Sequence, residues 1–335
     1  MGVAGGLVAV LAIHARAAGP SLPASGLLPV PAPAGSPRVV EPIVDHRGAA
    51  GRPPPLAGAG AAVARRDRAL AGEPIPRVPL PEPFGHTLRP GERFRFDVAF
   101  AGNPAGLARA EVVEVVQDAP FQPGAPAVHL RGHARTSGVV SLLAKVTDDL
   151  DSFLDPWTGA PLASRNVIHY DGLRLRYRHR VTDTDFYGRG ALRIADRKDE
   201  RATTKHMRVP RDTFDPLSAM AWVRSLRLSP GEGATAHVMD GLALLRVEVV
   251  SRGRQAPEEL PPIARALGIA PSTIERIDGR LVRVDARDRP KPGARVYTLR
   301  AYLSTDERRL PLLMETDMWV GRLRLVLAQY DPPSG

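Results

Sequence analysis

From Arg93 onward the chain is made of short stretches in which apolar and polar residues alternate, and nothing else in it constrains the fold as strongly. Phe94, Phe96, Val98 and Phe100 are interleaved with Arg93, Arg95, Asp97 and Ala99. A period of two places one set on a buried face and the other in solvent, which a strand achieves and a helix does not. Further segments of strand character follow at Leu107–Val116, Val128–Thr136, Leu143–Leu154, Leu162–Tyr170, Leu173–Val181, Ala191–Asp196, His206–Val209, Ala234–Met239, Leu242–Ser251, Leu281–Ala286, Arg295–Leu303, Leu312–Met318 and Arg322–Gln329. Asp171-Gly172 and Asp240-Gly241 join consecutive segments, and Asp-Gly favours the type I′ turn whose twist suits a hairpin. Neighbouring strands are therefore expected to be antiparallel.

One segment reads as helix, over about 216–226. Asp215 can cap it, Pro216 suits its first position, Leu217, Met220, Ala221, Val223 and Arg224 follow, and Pro230-Gly231 stops it. A second short helix fits after Pro261-Pro262, inside an insertion loop of about 254–276. No internal repeat is visible, which counts against a propeller or solenoid. The expected fold is mainly β: a curved antiparallel sheet or open β-barrel wrapped around one α-helix, after a disordered Pro/Ala/Gly-rich leader.

Aromatic residues set the boundary of that leader, since none of the 17 Phe, Trp and Tyr residues precedes Phe84. Residues 1–81 hold 14 of the 34 prolines and lack core material, as a disordered linker does. Gly2 to Ile13 form a short apolar run before Ala15-Arg16-Ala17, which has the small-x-small form of a secretory cleavage site. No Lys or Arg precedes the run, so a shifted start or an Ala/Gly-rich tail is the alternative. The organisation expected is a signal peptide over 1–17, a proline-rich linker over 18–81 and one β-rich domain over 82–331. Export to the periplasm or cell envelope follows from that reading, with no transmembrane anchor in the mature chain.

The net charge of +10 comes from 42 Arg and only 4 Lys against 36 acidic residues. Such a skew reflects base composition more than a phosphate-binding surface, which mixes Lys and Arg in clusters, and it argues against nucleic acid as a partner. The absence of cysteine excludes disulfides, thiolate metal sites and a cysteine nucleophile. There is no Gly-x-Ser-x-Gly elbow, no phosphate-cradling loop and no His-Glu-x-x-His pair, so neither a cofactor nor a metal is expected. Asp148, Asp149, Asp151 and Asp155 are dense enough to raise calcium, yet their spacing fails the EF-hand template.

Register arithmetic is more informative than motifs. If Asp171-Gly172 is a two-residue turn, His169 faces Arg174, Val167 faces Arg176 and Arg165 faces Arg178. If Asp155–Gly159 is a five-residue loop, Lys145 faces His169 and Asp149 faces Arg165. One face then carries Arg174, Arg176, Arg178 and Arg180. Its Lys145, His169 and Arg174 end is uncompensated and suits an anionic glycan, lipid headgroup or acidic partner. A solvated face with weak cross-strand ion pairs is the plainer reading. On the opposite face Asp148, Ser164, Asn166, Tyr177 and His179 converge, and such polar groups must satisfy one another, reach an open end or contact a ligand.

Gly91-Glu92 before the aromatic strand, Ala105-Gly106-Leu107, Asp215-Pro216-Leu217-Ser218-Ala219, Leu303-Ser304-Thr305-Asp306 and Arg308-Arg309-Leu310-Pro311 resemble, in order and spacing, the exported bacterial proteins called domain of unknown function 3108. The resemblance covers roughly residues 84–330 and implies an envelope location and a β-rich fold, with no established activity. The leading functional expectation is a non-catalytic binding or scaffolding domain for a lipid, another amphiphile or an envelope partner. The alternatives are a hydrolase of an envelope polymer using His179 and Asp148, and an anion-binding module using the Arg174–Arg180 face.

Overall fold

The computed structural model describes residues 88–120, 124–172, 178–187, 190–318 and 321–333. Among them fifteen strands form one sheet: β1 (Arg93–Phe100), β2 (Asn103–Val116), β3 (Ala127–Thr136), β4 (Ala144–Leu154), β5 (Pro161–Gly172), β6 (His179–Asp185), β7 (Ala191–Lys198), β8 (Arg201–Arg208), β9 (Thr213–Phe214), β10 (Gly233–Asp240), β11 (Ala243–Arg254), β12 (Ile274–Arg283), β13 (Val296–Ser304), β14 (Pro311–Met318) and β15 (Gly321–Asp331). Three short helices accompany them: α1 (Gly138–Leu143), α2 (Pro216–Ser225) and α3 (Pro262–Ala266).

The strand order is β8-β7-β6-β5-β4-β3-β2-β1-β15-β14-β13-β12-β11-β10-β9. The chain begins mid-sheet at β1, meanders out to β8, crosses to the far edge at β9 and meanders back until β15 pairs with β1. All pairs are antiparallel except β9 and β10. A parallel pair needs a crossover, and α2 supplies it.

That crossover helix is buried because the sheet curls round it. Eight of its ten residues are buried, and Leu217, Ala219, Ala221 and Trp222 pack at once against Val112, Leu130 and Leu150 of β2–β4 and Ala236, Val247 and Ile277 of β10–β12. Close approach is possible at Gly132, where a Cβ would stand 3.1 Å from a Leu217 methyl. A second cluster joins β1, β2 and β13–β15 to Ala264 and Ile269 of the Gln255–Thr273 insertion. The third lies where the sheet's two ends meet. Phe186, Leu192, Ile194 and Val209 pack on Met239, Leu244, Val282 and Val284. The sheet thus closes through side chains at a seam, leaving β8 and β9 as terminal strands. Their backbone groups do not pair across it.

The structure agrees with the expected fold class and revises several local boundaries. Asp171 and Gly172 are not a turn: they belong to β5 and pair with Lys145 and Ala144. The next strand therefore begins at His179 rather than Leu173, and residues 173–177 lie outside the described residues. The β4–β5 register is displaced by two because Leu154 pairs with Pro161 after a bulge. Asp155 closes that longer loop, its Oδ1 accepting from the N–H groups of Trp157 and Thr158. Asp240-Gly241 does mark a tight hairpin, but Asp240 pairs with Ala243. Gly241 and Leu242 form the turn, and only Gly241 has a positive φ, of 56°, which suits type II′ rather than I′. β12 starts at Ile274 and ends at Arg283, not over Leu281–Ala286, and Leu143, expected to open a strand, is the last residue of α1. The expected signal and linker, residues 1–81, are outside those described, as are residues 82–87 of the expected domain.

Candidate functional site

Both ends of α2 are held by buried polar groups. At its N-terminus Asp215 has the extended backbone of a cap, and its Oδ1 accepts from the N–H groups of Leu217 at 2.9 Å and Ser218 at 3.2 Å. Ser152 of β4 and Ser218 donate their hydroxyls to Oδ2 at 2.6 and 2.7 Å. Burial raises the Asp215 pKa, and these hydrogen bonds only partly oppose it.

At the C-terminus Arg224 forks onto both oxygens of Glu92, and Tyr330 Oη donates to Glu92 at 3.1 Å. Burial, then the Glu92 charge, pushes the Tyr330 hydroxyl up to about 12. Arg309 donates to Glu275 at 2.6 Å and to the carbonyls of Arg224 and Leu226, which satisfies acceptors a helix end leaves open. Ser251 donates to Glu275 at 2.7 Å. Arg309 sits at φ 47°, a left-handed conformation unusual for arginine, and its side chain is held by its three bonds above and a fourth to the Ser304 carbonyl.

A further polar layer lies on the inner face of β4–β7. Asn166 Nδ2 donates to Asp148 Oδ1 at 2.7 Å. Ser164 is buried opposite Ser152 and Thr184. Arg180 donates through Nε to Asp196 at 2.6 Å, and Thr182 donates to the same oxygen at 3.2 Å. Burial drives the Asp196 pKa up, but the Arg180 hydrogen bond and charge, with Lys198, outweigh it and hold the group low.

Of the five residues expected to converge, the structure brings Asp148, Asn166 and Ser164 to one face. His179 is a correction. It faces His169 in the β5–β6 register, with the rings 4.6 Å apart, on the outer side of the sheet. The displaced turn shifts the register by five, an odd number, so His179 leaves the inner face and Arg180 enters it. Tyr177 lies outside the described residues. The expected outer arginine stripe changes too: Arg180 is fully buried, Lys145 faces Asp171, Arg178 is exposed at the foot of β6, and Arg174 and Arg176 are outside the described residues. His129 and His133 each meet one carboxylate, Asp151 and Asp149, at 2.7 Å. No group of three metal-ligating side chains occurs among the described residues.

Next to the seam two features escaped the sequence. His237 of β10, 1% exposed, is gripped by two carboxylates: Nδ1 is 3.1 Å from Asp212 and Nε2 is 2.8 Å from Asp288. Burial lowers its pKa, but the two hydrogen bonds and charges prevail and raise it. A cavity of about 230 Å³ opens nearby, reached by Thr213, the β9 partner of His237, and walled by Leu162, Phe186, Leu192, Val209 and Pro210, with Arg211 and Asp155 at its margin. The two loops bordering it carry Trp157, 64% exposed, and Tyr187, 40% exposed. Aromatic residues in predicted loops, at Trp157 and at Phe186-Tyr187, were the available signal.

The geometry can be set beside known proteins. A solved beta-barrel-like protein of domain of unknown function DUF1849 from Brucella abortus is similar over 73% of this chain and 98% of its own, with 14% identity and a TM-score of 0.46. No curated protein matches the chain significantly. No helix among the described residues is long and apolar enough to cross a membrane. The family model described as "Protein of unknown function (DUF3108)" matches residues 95–328, and the chain belongs to that family.

Proposed function

We propose that this is a non-catalytic binding domain of an exported envelope protein, and that the seam cavity receives the apolar end of an amphiphile. The observation that carries the reading is the cavity itself: apolar walls from Leu162, Phe186, Leu192 and Val209, a polar margin with Arg211 and Asp155, and exposed Trp157 and Tyr187 on the bordering loops. Its volume of about 230 Å³ is below the ~300–1,000 Å³ of pockets for drug-sized ligands. A segment of a chain or a single ring fits, and a whole lipid does not. Helix α2 fills the space inside the curled sheet that a deeper carrier would use. The export part of the proposal rests on the apolar run Gly2–Ile13 and the Ala15-Arg16-Ala17 site.

The hydrolase alternative has lost its geometric support, because Asp148 is buried on the inner face and His179 is on the outer one. The test is a titration with bromine-labelled dodecanoate below its micellar concentration, read by quenching of Trp157 fluorescence. Saturable quenching that disappears in Trp157→Phe, and weakens when Ala191→Phe fills the cavity rim, is the expected result. Quenching indifferent to Ala191→Phe would point to adsorption elsewhere and to a scaffold or partner-binding role.

A further inference from the structure

The outer face of the sheet follows a charge pattern with one break. At one level across the strands Asp331, Arg93, Glu111, Arg131, Asp151, Arg165 and Asp183 are successive cross-strand partners, from β15 through β1 to β6. The sign alternates at every step. Arg93–Glu111, Arg131–Asp151 and Arg165–Asp183 are ion pairs of 2.8, 3.3 and 3.4 Å. Such alternation is what facing positions favour, since opposite charges stabilise a strand pair and like charges destabilise it.

One step along the strands the alternation fails. Arg95 of β1 and Arg109 of β2 face each other directly, and Arg135 lies diagonal to Arg109 on β3. All three are exposed. The carboxylates nearby are committed or offset: Glu111 is taken by Arg93 and Asp149 by His133 at 2.7 Å. Asp97, two residues along from Arg95 and diagonal to Arg109, faces Leu107 and is one carboxylate beside three arginines, which leaves the cluster net positive. Among the described residues none of the three arginines has an ion-pair partner. Arginine abounds in this chain, so the residue type is not the signal. The signal is two arginines at directly facing positions, one step from a row in which the sign alternates at every strand.

We propose that Arg95, Arg109 and Arg135 form a phosphate-binding site. A guanidinium offers planar paired donors that match phosphate oxygens, and a phosphate between two such forks turns a repulsive contact into an attractive one. The same chemistry serves a free phosphate or phosphate monoester and the headgroup of an anionic lipid. The site stands apart from the seam cavity, and cavity-filling Ala191→Phe is expected to leave it intact.

The experiment uses the full chain with two probes. Inorganic phosphate is titrated while the arginine side-chain Nε–Hε resonances are followed by NMR, and vesicles of phosphatidylglycerol in phosphatidylcholine are tested by co-sedimentation. Saturable shifts of the Arg95, Arg109 and Arg135 resonances are expected in the first arm. Arg109→Gln should weaken binding about five-fold, the equivalent of the ~1 kcal/mol that one basic residue contributes near an anionic surface. The paired Arg131→Gln should change it by less than about two-fold. Arg109→Gln should also raise the melting temperature in phosphate-free buffer, because it removes a like-charge contact. Vesicle binding sensitive to Arg109→Gln assigns the phosphate to lipid, and a response to inorganic phosphate alone assigns it to a soluble source. The proposal is overturned if neither probe binds, or if Arg131→Gln weakens binding as much as Arg109→Gln.

Discussion

Arg224 bonds both carboxylate oxygens of Glu92, at 3.0 and 2.9 Å, and neither side chain is more than 2% exposed. The pair ties the last turn of α2 to the residue just before β1, 132 positions away in sequence. Its guanidinium also lies 4.7 Å above the Phe94 ring, so one side chain joins the helix, the first strand and the Arg308 carbonyl. Removing one partner strands a buried charge. Arg224→Met is expected to cost ~3–5 kcal/mol, measured as a fall in the urea midpoint, and pairing it with Glu92→Leu should restore part of the loss. Additive costs in the double mutant would show that the two groups are not coupled.

His237 predicts a pH dependence of defined sign. Its folded pKa is raised above the ordinary 6.5 because Asp212 and Asp288 each bond a ring nitrogen, against the opposing effect of burial. Arg246, 3.4 Å from Asp288, is a cation packed beside the same carboxylate. A neutral ring can donate to only one of the two carboxylates. The stabilisation is therefore complete below about pH 6.5 and is lost as pH rises through the raised folded value. Wild type should lose stability over that window, and His237→Gln should flatten the curve. Lower protection factors at Asp288, Arg289 and Lys291 above the window, after correction for the intrinsic base-catalysed rate, are the local counterpart, since Asp288 lies in that loop.

Asp215 separates capping from charge. Its side chain accepts four hydrogen bonds while burial raises its pKa. Asp215→Ala should destabilise by ~0.5–2 kcal/mol as a lost cap, with a further penalty for the Ser152 hydroxyl left without its acceptor. Asp215→Asn, which keeps an acceptor for the two backbone N–H groups, should cost much less at pH 7. Equal losses for the two variants, read from urea midpoints, would mean that the carboxylate charge matters and the cap does not.

The sequence made strand positions legible because alternation is a local property, and the helix because Asp215-Pro216 and Pro230-Gly231 bracket it. Register was not legible. Asp171-Gly172 has the composition of a turn, yet β4 extends to Ala144 and uses both residues as strand partners. An odd displacement then exchanged His179 for Arg180 on the inner face, whereas the even displacement in β4–β5 left Asp148 and Asn166 together. The ionic anchors at Glu92, Arg224, Glu275 and Arg309 were equally opaque, because their partners lie 34 to 132 residues apart. In the sequence Gly91-Glu92 and Arg308-Arg309 stand out only as fragments of a family pattern. In the structure both fragments fasten the C-terminal end of one helix.

Gly241 tests whether the seam depends on Arg180. It has φ 56°, and a Cβ there would stand 3.0 Å from Arg180 Nη2 and 3.1 Å from Nη1. Gly102, at φ 82° with nothing within 4 Å of its added Cβ, has the backbone constraint without the contact. Gly102→Ala should cost ~1–2 kcal/mol, the left-handed penalty alone. Gly241→Ala should cost more, because the guanidinium must move while Asp196 stays buried and still needs its partner. Thermal melts of the two variants give the comparison. If the costs match, the Arg180 contact with the β10–β11 turn is slack and the seam is held by the apolar packing of Leu192, Ile194, Met239 and Leu244. A larger loss at Gly241, with faster amide exchange in β6 and β7, would make Arg180 the polar latch between the sheet's two ends.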